Sequence, residues 1–263
     1  MKYFGGCDVG STYTKTLILD ENGKIITHNT IRSKINSEES AKAGLQDALS
    51  TAGLSNIEDL SYLVGTGYGR NKVPQADENI SEISCHAMGV HITDPSVKAI
   101  IDIGGQDVKG IAIDDDGTVK NFAMNDKCAA GTGRFFESMA NAFECTLDEF
   151  STLSLTAKNI IPITAQCTVF AESEVVTLVG EGKPRDEIAA GIQQAVAKRC
   201  FVMAKKAGAT DRITLTGGCA KNIGLKQAIE KVLKIKVVEL DVDPQLMGAL
   251  GAAEYARQKG LNL

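Results

Sequence analysis

Two short segments of the chain share one pattern, and this repeat constrains the fold more than any other feature of the sequence. Residues 6–12 read Gly-Cys-Asp-Val-Gly-Ser-Thr, and residues 101–107 read Ile-Asp-Ile-Gly-Gly-Gln-Asp. In both, an apolar strand ends in an acidic residue and a glycine turn, and a second strand follows directly. A break at residues 92–95, which end in proline, separates the two copies. Repetition of this kind indicates a duplicated structural unit.

The repeated turn has the chemistry of a phosphate-binding site. Glycines let the backbone approach a phosphate closely and leave N–H groups available as donors. Ser11 and Thr12 add hydroxyl groups in the first copy, and Lys15 adds a positive charge on the next strand. In the second copy the turn carries Gly104 and Gly105. Two such hairpins facing each other would hold a polyphosphate from both sides.

The acidic residues of the turns are the candidate catalytic groups. Asp8 and Asp102 are predicted to hold Mg²⁺, mainly through water, as that ion prefers. Gln106 is predicted to position the attacking water, with Asp8, Asp102 or Asp107 assisting. For either hairpin alone the simpler interpretation is an ordinary turn, since aspartate and glycine dominate turns.

Two later segments complete a longer pattern. Gly217-Gly218-Cys219 follows a strand and precedes a helix, and it offers bare backbone on which a flat ring can lie. Residues 243–253 begin a closing helix with small residues on one face, which would permit close packing between two domains. Gln245 of this segment is a predicted cofactor contact.

The order of these four elements is typical of the actin and sugar-kinase superfamily. The fold prediction is therefore α/β, an actin-like ATPase with two ribonuclease-H-like lobes and a nucleotide cleft between them. A Rossmann domain is disfavoured because no Gly-x-Gly-x-x-Gly follows the first strand. The predicted N-terminal lobe is 1–94, with the helix 245–263 packing back on it, and the predicted C-terminal lobe is 95–244.

Hydrophobic periodicity and turn residues predict the elements of these lobes. Strands are expected near 3–9, 15–20, 24–31, 61–66, 97–103, 107–114, 118–124, 212–216 and 236–240. Helices are expected near 38–52, 80–92, 131–144, 168–181, 185–207, 221–233 and 245–258.

Composition excludes several classes of partner. The formal net charge is −5, so no basic surface for nucleic acid is indicated. No apolar run reaches the length of a membrane span, and the N-terminus lacks the apolar region of a signal peptide. A cytoplasmic protein is expected. The seven cysteines are odd in number and widely spaced, which argues against a disulfide framework.

Two cysteines are not explained by a nucleotide site. Cys128 and Cys167 each lie just before a predicted helix. A helix N-terminus presents unpaired N–H groups and a positive dipole, which favour a thiolate or the negative charge of an iron–sulfur cluster. A cubane cluster needs four thiolates, so a twofold dimer would have to supply two from each subunit. The alternatives are two buried thiols near helix starts, or a redox pair.

Several segments, in order, resemble those of the 2-hydroxyacyl-CoA dehydratase activators, in the ATPase family that includes nucleotide-binding subunits of benzoyl-CoA reductase. The resemblance covers nearly the whole chain. It rests on residues 8–12, 65–70 (Gly-Thr-Gly-Tyr-Gly-Arg), 82–87, 101–107, 125–135 and 167–175. Tyr13 and Thr14 depart from the small residues expected there, as does the sequence before Cys167.

This resemblance implies a function. It implies a homodimer with one bridging [4Fe-4S] cluster, held by Cys128 and Cys167 of both subunits. It implies binding of ATP, ADP and Mg²⁺, a ferredoxin or flavodoxin as electron donor, and ATP-driven transfer of one electron to an iron–sulfur dehydratase or reductase. A benzoyl-CoA-reductase-like or double-cubane-cluster enzyme remains an alternative partner. A small-molecule kinase, a non-redox actin-like scaffold and an ATP-coupled thiol sensor are the alternatives of other classes.

Overall fold

A computed structural model describes residues 2–125, 131–164, 167–209 and 211–263. The strands are β1 (Tyr3–Val9), β2 (Tyr13–Asp20), β3 (Ile25–Arg32), β4 (Tyr62–Thr66), β5 (Glu78–Asn79), β6 (Ala99–Ile103), β7 (Val108–Ile113), β8 (Val119–Asn125) and β9 (Ile213–Thr216). The helices are α1 (Ser37–Ala52), α2 (Glu82–Thr93), α3 (Gly133–Ala142), α4 (Leu147–Leu153), α5 (Thr168–Gly180), α6 (Arg185–Ala207), α7 (Ile223–Leu233) and α8 (Met247–Gly260).

The chain forms two compact units. The first unit contains Met1–Ser96, Ile113–Val119 and Leu240–Leu263. The second unit contains Val97–Ala112 and Lys120–Glu239. None of the helices in the described part of the chain is long and apolar enough to cross a bilayer.

The first unit is built on a five-stranded sheet with the order β3-β2-β1-β4-β5. Strand β1 is antiparallel to β2 and parallel to β4. Successive side chains of a strand point to opposite faces, so β1 contributes to two cores. Cys7 and Val9 pack with Leu45 of α1, whereas Phe4 packs with Ala252 of α8.

Glycines allow α8 to lie directly on α2 and β1. A Cβ added at Gly251 would stand 1.8 Å from the backbone oxygen of Cys85, and one at Gly89 would stand 2.2 Å from that of Met247. A Cβ at Gly6 would stand 2.1 Å from the backbone oxygen of Ala249. The sequence predicts that this small-residue face permits close packing between two domains, but its glycines pack against elements of the same unit.

The second unit is built on a four-stranded sheet with the order β8-β7-β6-β9. Strand β6 is antiparallel to β7 and parallel to β9, as β1 is to β2 and β4. Its core joins the sheet to helices α3 to α7, and Phe135, Phe136, Phe143 and Phe150 form the aromatic part of that core.

Two predicted elements need correction, and two observed elements were not predicted. The strand expected at 236–240 reduces to a single bridge between Thr214 and Val238, because Val237 N–H donates to Glu230 on α7 instead. The helix expected at 131–144 is shorter, covering Gly133–Ala142, and a separate helix α4 follows it, with Thr146 as its N-cap in a capping box. The short strand β5 was not predicted, since two residues carry no periodicity.

Candidate functional site

The first acidic turn joins β1 to β2. Asp8 lies in β1 opposite Lys15 of β2, and its side chain is buried. Lys15 Nζ lies 2.6 Å from Asp8 Oδ2. The hairpin closes through Gly10 N–H, which donates to Tyr13 O at 3.1 Å. The structure thus brings two predicted site residues, Asp8 and Lys15, into an ion pair beside a tight turn.

The hydroxyl groups of this turn differ in environment. Ser11 is exposed. Thr12 is buried, and its Oγ1 makes no hydrogen bond with any described residue. Burial of a hydroxyl without a partner is costly, so this oxygen is suited to a ligand that would satisfy it. The hydroxyl group of Thr14, one of the departures from the family pattern, forms a hydrogen bond with the Ser33 hydroxyl group.

A second glycine turn lies against Asp8. Gly67 follows β4 with φ +87°, and a Cβ there would stand 2.3 Å from Asp8 Oδ1. Gly69 N–H donates to Val9 O at 2.9 Å, and the Arg70 guanidinium donates to Gly67 O at 3.1 Å. In the sequence, residues 65–70 contribute to the family resemblance, but a contact between this turn and Asp8 was not predicted. The structure shows that this turn packs against the carboxylate.

The second acidic turn joins β6 to β7 and repeats the first ion pair. Asp102 is opposite Lys109 in the strand register, as Asp8 is opposite Lys15. Lys109 Nζ lies 3.2 Å from Asp102 Oδ2 and 2.7 Å from Asp107 Oδ2. Thr216 Oγ1 donates to Asp102 Oδ1 at 2.9 Å. Neither Lys109 nor Thr216 was predicted, although the repeat places Lys109 where the first copy has Lys15.

The glycines around Asp102 are tightly enclosed. Gly104 N–H donates to Asp107 O at 3.0 Å and closes the turn. Gly217 has φ +82°, and a Cβ there would stand 2.4 Å from Ile103 O and 2.9 Å from Asp102 Oδ1. Gly105 is partly exposed. Gln106, at the tip of the turn, is exposed. The turn therefore combines a fixed carboxylate with an accessible tip.

The remaining predicted nucleotide contacts fall in both units. Gly218 and Cys219 begin a short 3₁₀ helix after β9 in the second unit. Burial raises the pKa of the Cys219 thiol to about 12, so this sulfur stays protonated at neutral pH. Gln245 lies in the first unit, where its N–H donates to Asp243 Oδ1 at 2.9 Å.

The start of α3 is bonded to the second acidic turn. Gly133 N–H donates to Gly104 O at 2.9 Å, and Arg134 N–H donates to Gly105 O at 3.0 Å. Such N–H groups at a helix start have no partner within the helix. The helix therefore satisfies its first donors on the carbonyl groups of the turn.

Cys167 lies at the N-terminal cap of α5, while Cys128 lies outside the described residues. Cys167 is exposed, and its backbone oxygen accepts from Ala171 N–H at 2.9 Å. Among the described residues, no three His, Cys, Asp or Glu side chains are grouped so as to hold a metal ion. One described chain therefore offers a single exposed thiol at this helix start.

Two glutamates of α5 accept hydrogen bonds from residues outside this helix. Glu174 accepts from both the N–H and the hydroxyl of Thr164, at 3.0 and 2.9 Å. Glu172 accepts from Ser138 Oγ of α3 at 2.5 Å. Neither glutamate was among the predicted site residues. They connect α5 to the segment before Cys167 and to α3.

The cysteines should differ sharply in reactivity. Burial raises the pKa of the Cys7, Cys85 and Cys200 thiols to about 12, whereas Cys167 is exposed. Because the thiolate is the reactive form, iodoacetamide at pH 8 should modify Cys167 of the metal-free protein long before these three. Peptide mapping by mass spectrometry measures this order. Equal labelling of Cys200 and Cys167 in the folded protein would contradict it, and denatured protein serves as the control.

A family model and close relatives match this chain over nearly its full length. The model of the BadF/BadG/BcrA/BcrD ATPase family matches residues 6–256. The chain belongs to this family. It is 46% identical over 254 residues to the activator of lactoyl-CoA dehydratase from Anaerotignum propionicum, covering 97% of both chains. Membership confirms the predicted family and the predicted class of enzyme, an ATPase.

Solved structures of relatives agree with the fold. The activator of 2-hydroxyisocaproyl-CoA dehydratase from Clostridium difficile, with bound ADPNP, has a TM-score of 0.92 and 41% identity, covering 99% of this chain and 96% of its own. Component A of (R)-2-hydroxyglutaryl-CoA dehydratase from Acidaminococcus fermentans has a TM-score of 0.91 and 40% identity, covering 99% and 100%.

The fold also extends to sugar kinases. A ROK-family glucokinase from Streptomyces griseus has a TM-score of 0.60 at 14% identity, covering 97% of this chain and 99% of its own. This likeness concerns the fold alone. It confirms the predicted actin-like ATPase and sugar-kinase fold class.

Proposed function

We propose that this ATPase is a low-potential electron donor that activates an iron–sulfur partner such as a 2-hydroxyacyl-CoA dehydratase. A [4Fe-4S] cluster bridging a homodimer would supply one-electron chemistry, and a ferredoxin or flavodoxin would recharge it. Close relatives are named as activators of 2-hydroxyacyl-CoA dehydratases. The observation that carries the proposal is the exposed Cys167 thiol at the N-terminal cap of α5, in the same unit as the second acidic turn.

At the nucleotide end, each turn contributes a buried carboxylate and a lysine. Asp8 and Asp102 would hold the Mg²⁺ of ATP, mainly through water. The unpartnered Thr12 hydroxyl and the backbone of Gly104 and Gly105 would donate to phosphate oxygens. Gly217 and its neighbours Gly218 and Cys219 would bind the nucleoside, with Gln245 as a further contact. The buried orphan oxygen and the enclosed glycines fit this ligand.

Hydrolysis needs a water placed in line with the terminal phosphate. Gln106 is the proposed positioning group, because it is the exposed side chain at the tip of the second turn. Asp107 would assist, since Lys109 fixes its carboxylate at 2.7 Å. Lys109 and Lys15 would also balance charge that develops on the phosphate oxygens.

At the cluster end, Cys128 and Cys167 of each subunit would be the ligands. The exposed Cys167 thiol at the start of α5 fits such a role, since the helix dipole favours negative charge there. Glu174 would fix the position of Thr164, three residues before this thiol, by accepting two hydrogen bonds from it.

The two ends are connected by a short path within the second unit. The turn at Gly104 and Gly105 bonds the start of α3, and Ser138 of α3 bonds Glu172 of α5. Helix α5 then begins directly after Cys167. Any shift of the turn on binding or hydrolysis of ATP would therefore move α3 and α5 together. This path is our proposed route from nucleotide state to cluster environment.

Anaerobic purification tests the proposal. The protein should be brown, carry about four irons per dimer, and lose iron and colour in Cys128→Ser or Cys167→Ser. Cys145→Ser is the matched control and should keep both, because Cys145 lies in the connection between α3 and α4 and not just before α3 or α5. Protein that stays colourless after iron–sulfur reconstitution while hydrolysing ATP would overturn the electron-transfer function and leave an ATPase of another kind.

A further inference from the structure

We infer that His86 is a positioning residue for the Asp8 carboxylate, an inference that rests on the proposed role of Asp8 in binding Mg·ATP. His86 lies in α2 and is buried, with 7% of its surface exposed. Its neighbours along the buried part of α2 are Cys85, Ala87, Met88, Gly89 and Val90. A buried imidazole needs a polar counterpart to offset its desolvation.

The surroundings of Gly248 point to the Asp8 carboxylate as that counterpart. A Cβ added at Gly248 would stand 2.9 Å from His86 Nε2 and 2.8 Å from Asp8 Oδ2. The imidazole nitrogen and the carboxylate oxygen thus approach the same point on α8. Only a glycine at this position leaves room for both side chains.

The backbone around this point is fixed from three sides. Gly251 of α8 packs on Cys85, the residue next to His86, and Gly89 of α2 packs on Met247, the residue next to Gly248. Gly6 of β1, two residues before Asp8, packs on Ala249. Because these contacts involve backbone atoms, they leave little freedom for His86 to move relative to Asp8.

Different groups lie beside the two carboxylate oxygens of Asp8. Lys15 pairs with Oδ2 from the neighbouring strand at 2.6 Å, and the Gly67 turn lies against Oδ1. The ammonium group of Lys15 is carried by a flexible side chain, whereas the His86 ring is rigid and buried. His86 therefore sets the direction of the carboxylate, while Lys15 balances its charge. Groups that orient a metal-binding carboxylate strongly affect metal affinity.

Two substitutions distinguish this role from simple filling of space. His86→Gln places an amide nitrogen near the position of Nε2, whereas His86→Asn places one nearer to Nδ1. His86→Gln should retain ADP binding with Mg²⁺ within about threefold of the parent. His86→Asn should weaken it about tenfold or more, in the range found for groups that orient metal ligands. Isothermal titration calorimetry with and without Mg²⁺ measures the effect, and binding without Mg²⁺ should change little in both variants.

His91→Asn is the matched control, because His91 lies on the same helix but packs near Gly117 instead. It should bind Mg·ADP as the parent does. An equal loss of ADP affinity in His86→Gln and His86→Asn would overturn the inference and indicate a packing role. So would a loss of ADP affinity that is equal with and without Mg²⁺. Failure of the proposed function is seen separately. It would appear as a parent protein that lacks iron or does not bind Mg·ADP at all.

Discussion

Replacing Asp102 by asparagine should lower the rate of ATP hydrolysis by about a hundredfold or more, as does loss of one preorganised polar group in other active sites. The variant keeps the shape of the side chain and its bond from Thr216. It removes the charge proposed to hold Mg²⁺ beside the transferred phosphate. Steady-state phosphate release at saturating Mg·ATP measures the loss.

The fold should survive this change. Lys109 is buried, but it retains Asp107 as an ionic partner at 2.7 Å. The thermal midpoint of Asp102→Asn should therefore fall only modestly. Asp116→Asn is the matched control, because Asp116 lies in an exposed turn, and it should hydrolyse ATP at the parent rate. Parent-like activity in Asp102→Asn would remove this residue from the proposed site.

Replacing Gly251 by valine should destabilise the first unit by at least about 3 kcal/mol, at or beyond the upper end of common overpacking costs. A Cβ at Gly251 would stand 1.8 Å from the backbone oxygen of Cys85, and backbone atoms cannot yield as a side chain can. Helices α2 and α8 would have to separate. Urea unfolding, monitored by circular dichroism, should have its midpoint at a lower urea concentration than in the parent. The affinity for Mg·ADP should fall as well.

Gly180→Ala is the control for this prediction. Gly180 is also a helical glycine, but a Cβ there meets nothing within 4 Å. Alanine is the better helix former, so this variant should be as stable as the parent or slightly more stable. Similar destabilisation by both substitutions would show that helix propensity, rather than close packing of α8, governs the effect.

The fold was predictable because its signals are local and repeated. The paired turns at Asp8 and Asp102, each between two apolar strands, indicate the two sheets before any contact is known. Periodicity also located most helices within a few residues. It failed at β5, which has two residues, and at residue 237, where a side chain of α7 captured the N–H that a strand would have used.

The site was less predictable, since its residues meet only through tertiary structure. His86 and Gly248 are separated by most of the chain, and neither belongs to a phosphate motif. The contact of the Gly67 turn with Asp8 was not predicted either, because it forms only when β1 and β4 lie side by side. Lys109 is different, because aligning the two copies of the repeat would have shown it opposite Asp102. That comparison was available in the sequence alone.

The lysine opposite each aspartate has a consequence for the order of binding. Asp8 and Asp102 already have a cationic partner without any ligand, at 2.6 and 3.2 Å. A bare divalent ion would have to displace an ammonium group already in place, with no new negative charge to offset the exchange. When nucleotide brings its own anionic oxygens, the lysines can turn toward them and release the carboxylates. Each aspartate–lysine pair would therefore favour a metal ion that arrives already bound to nucleotide over a metal ion that arrives alone.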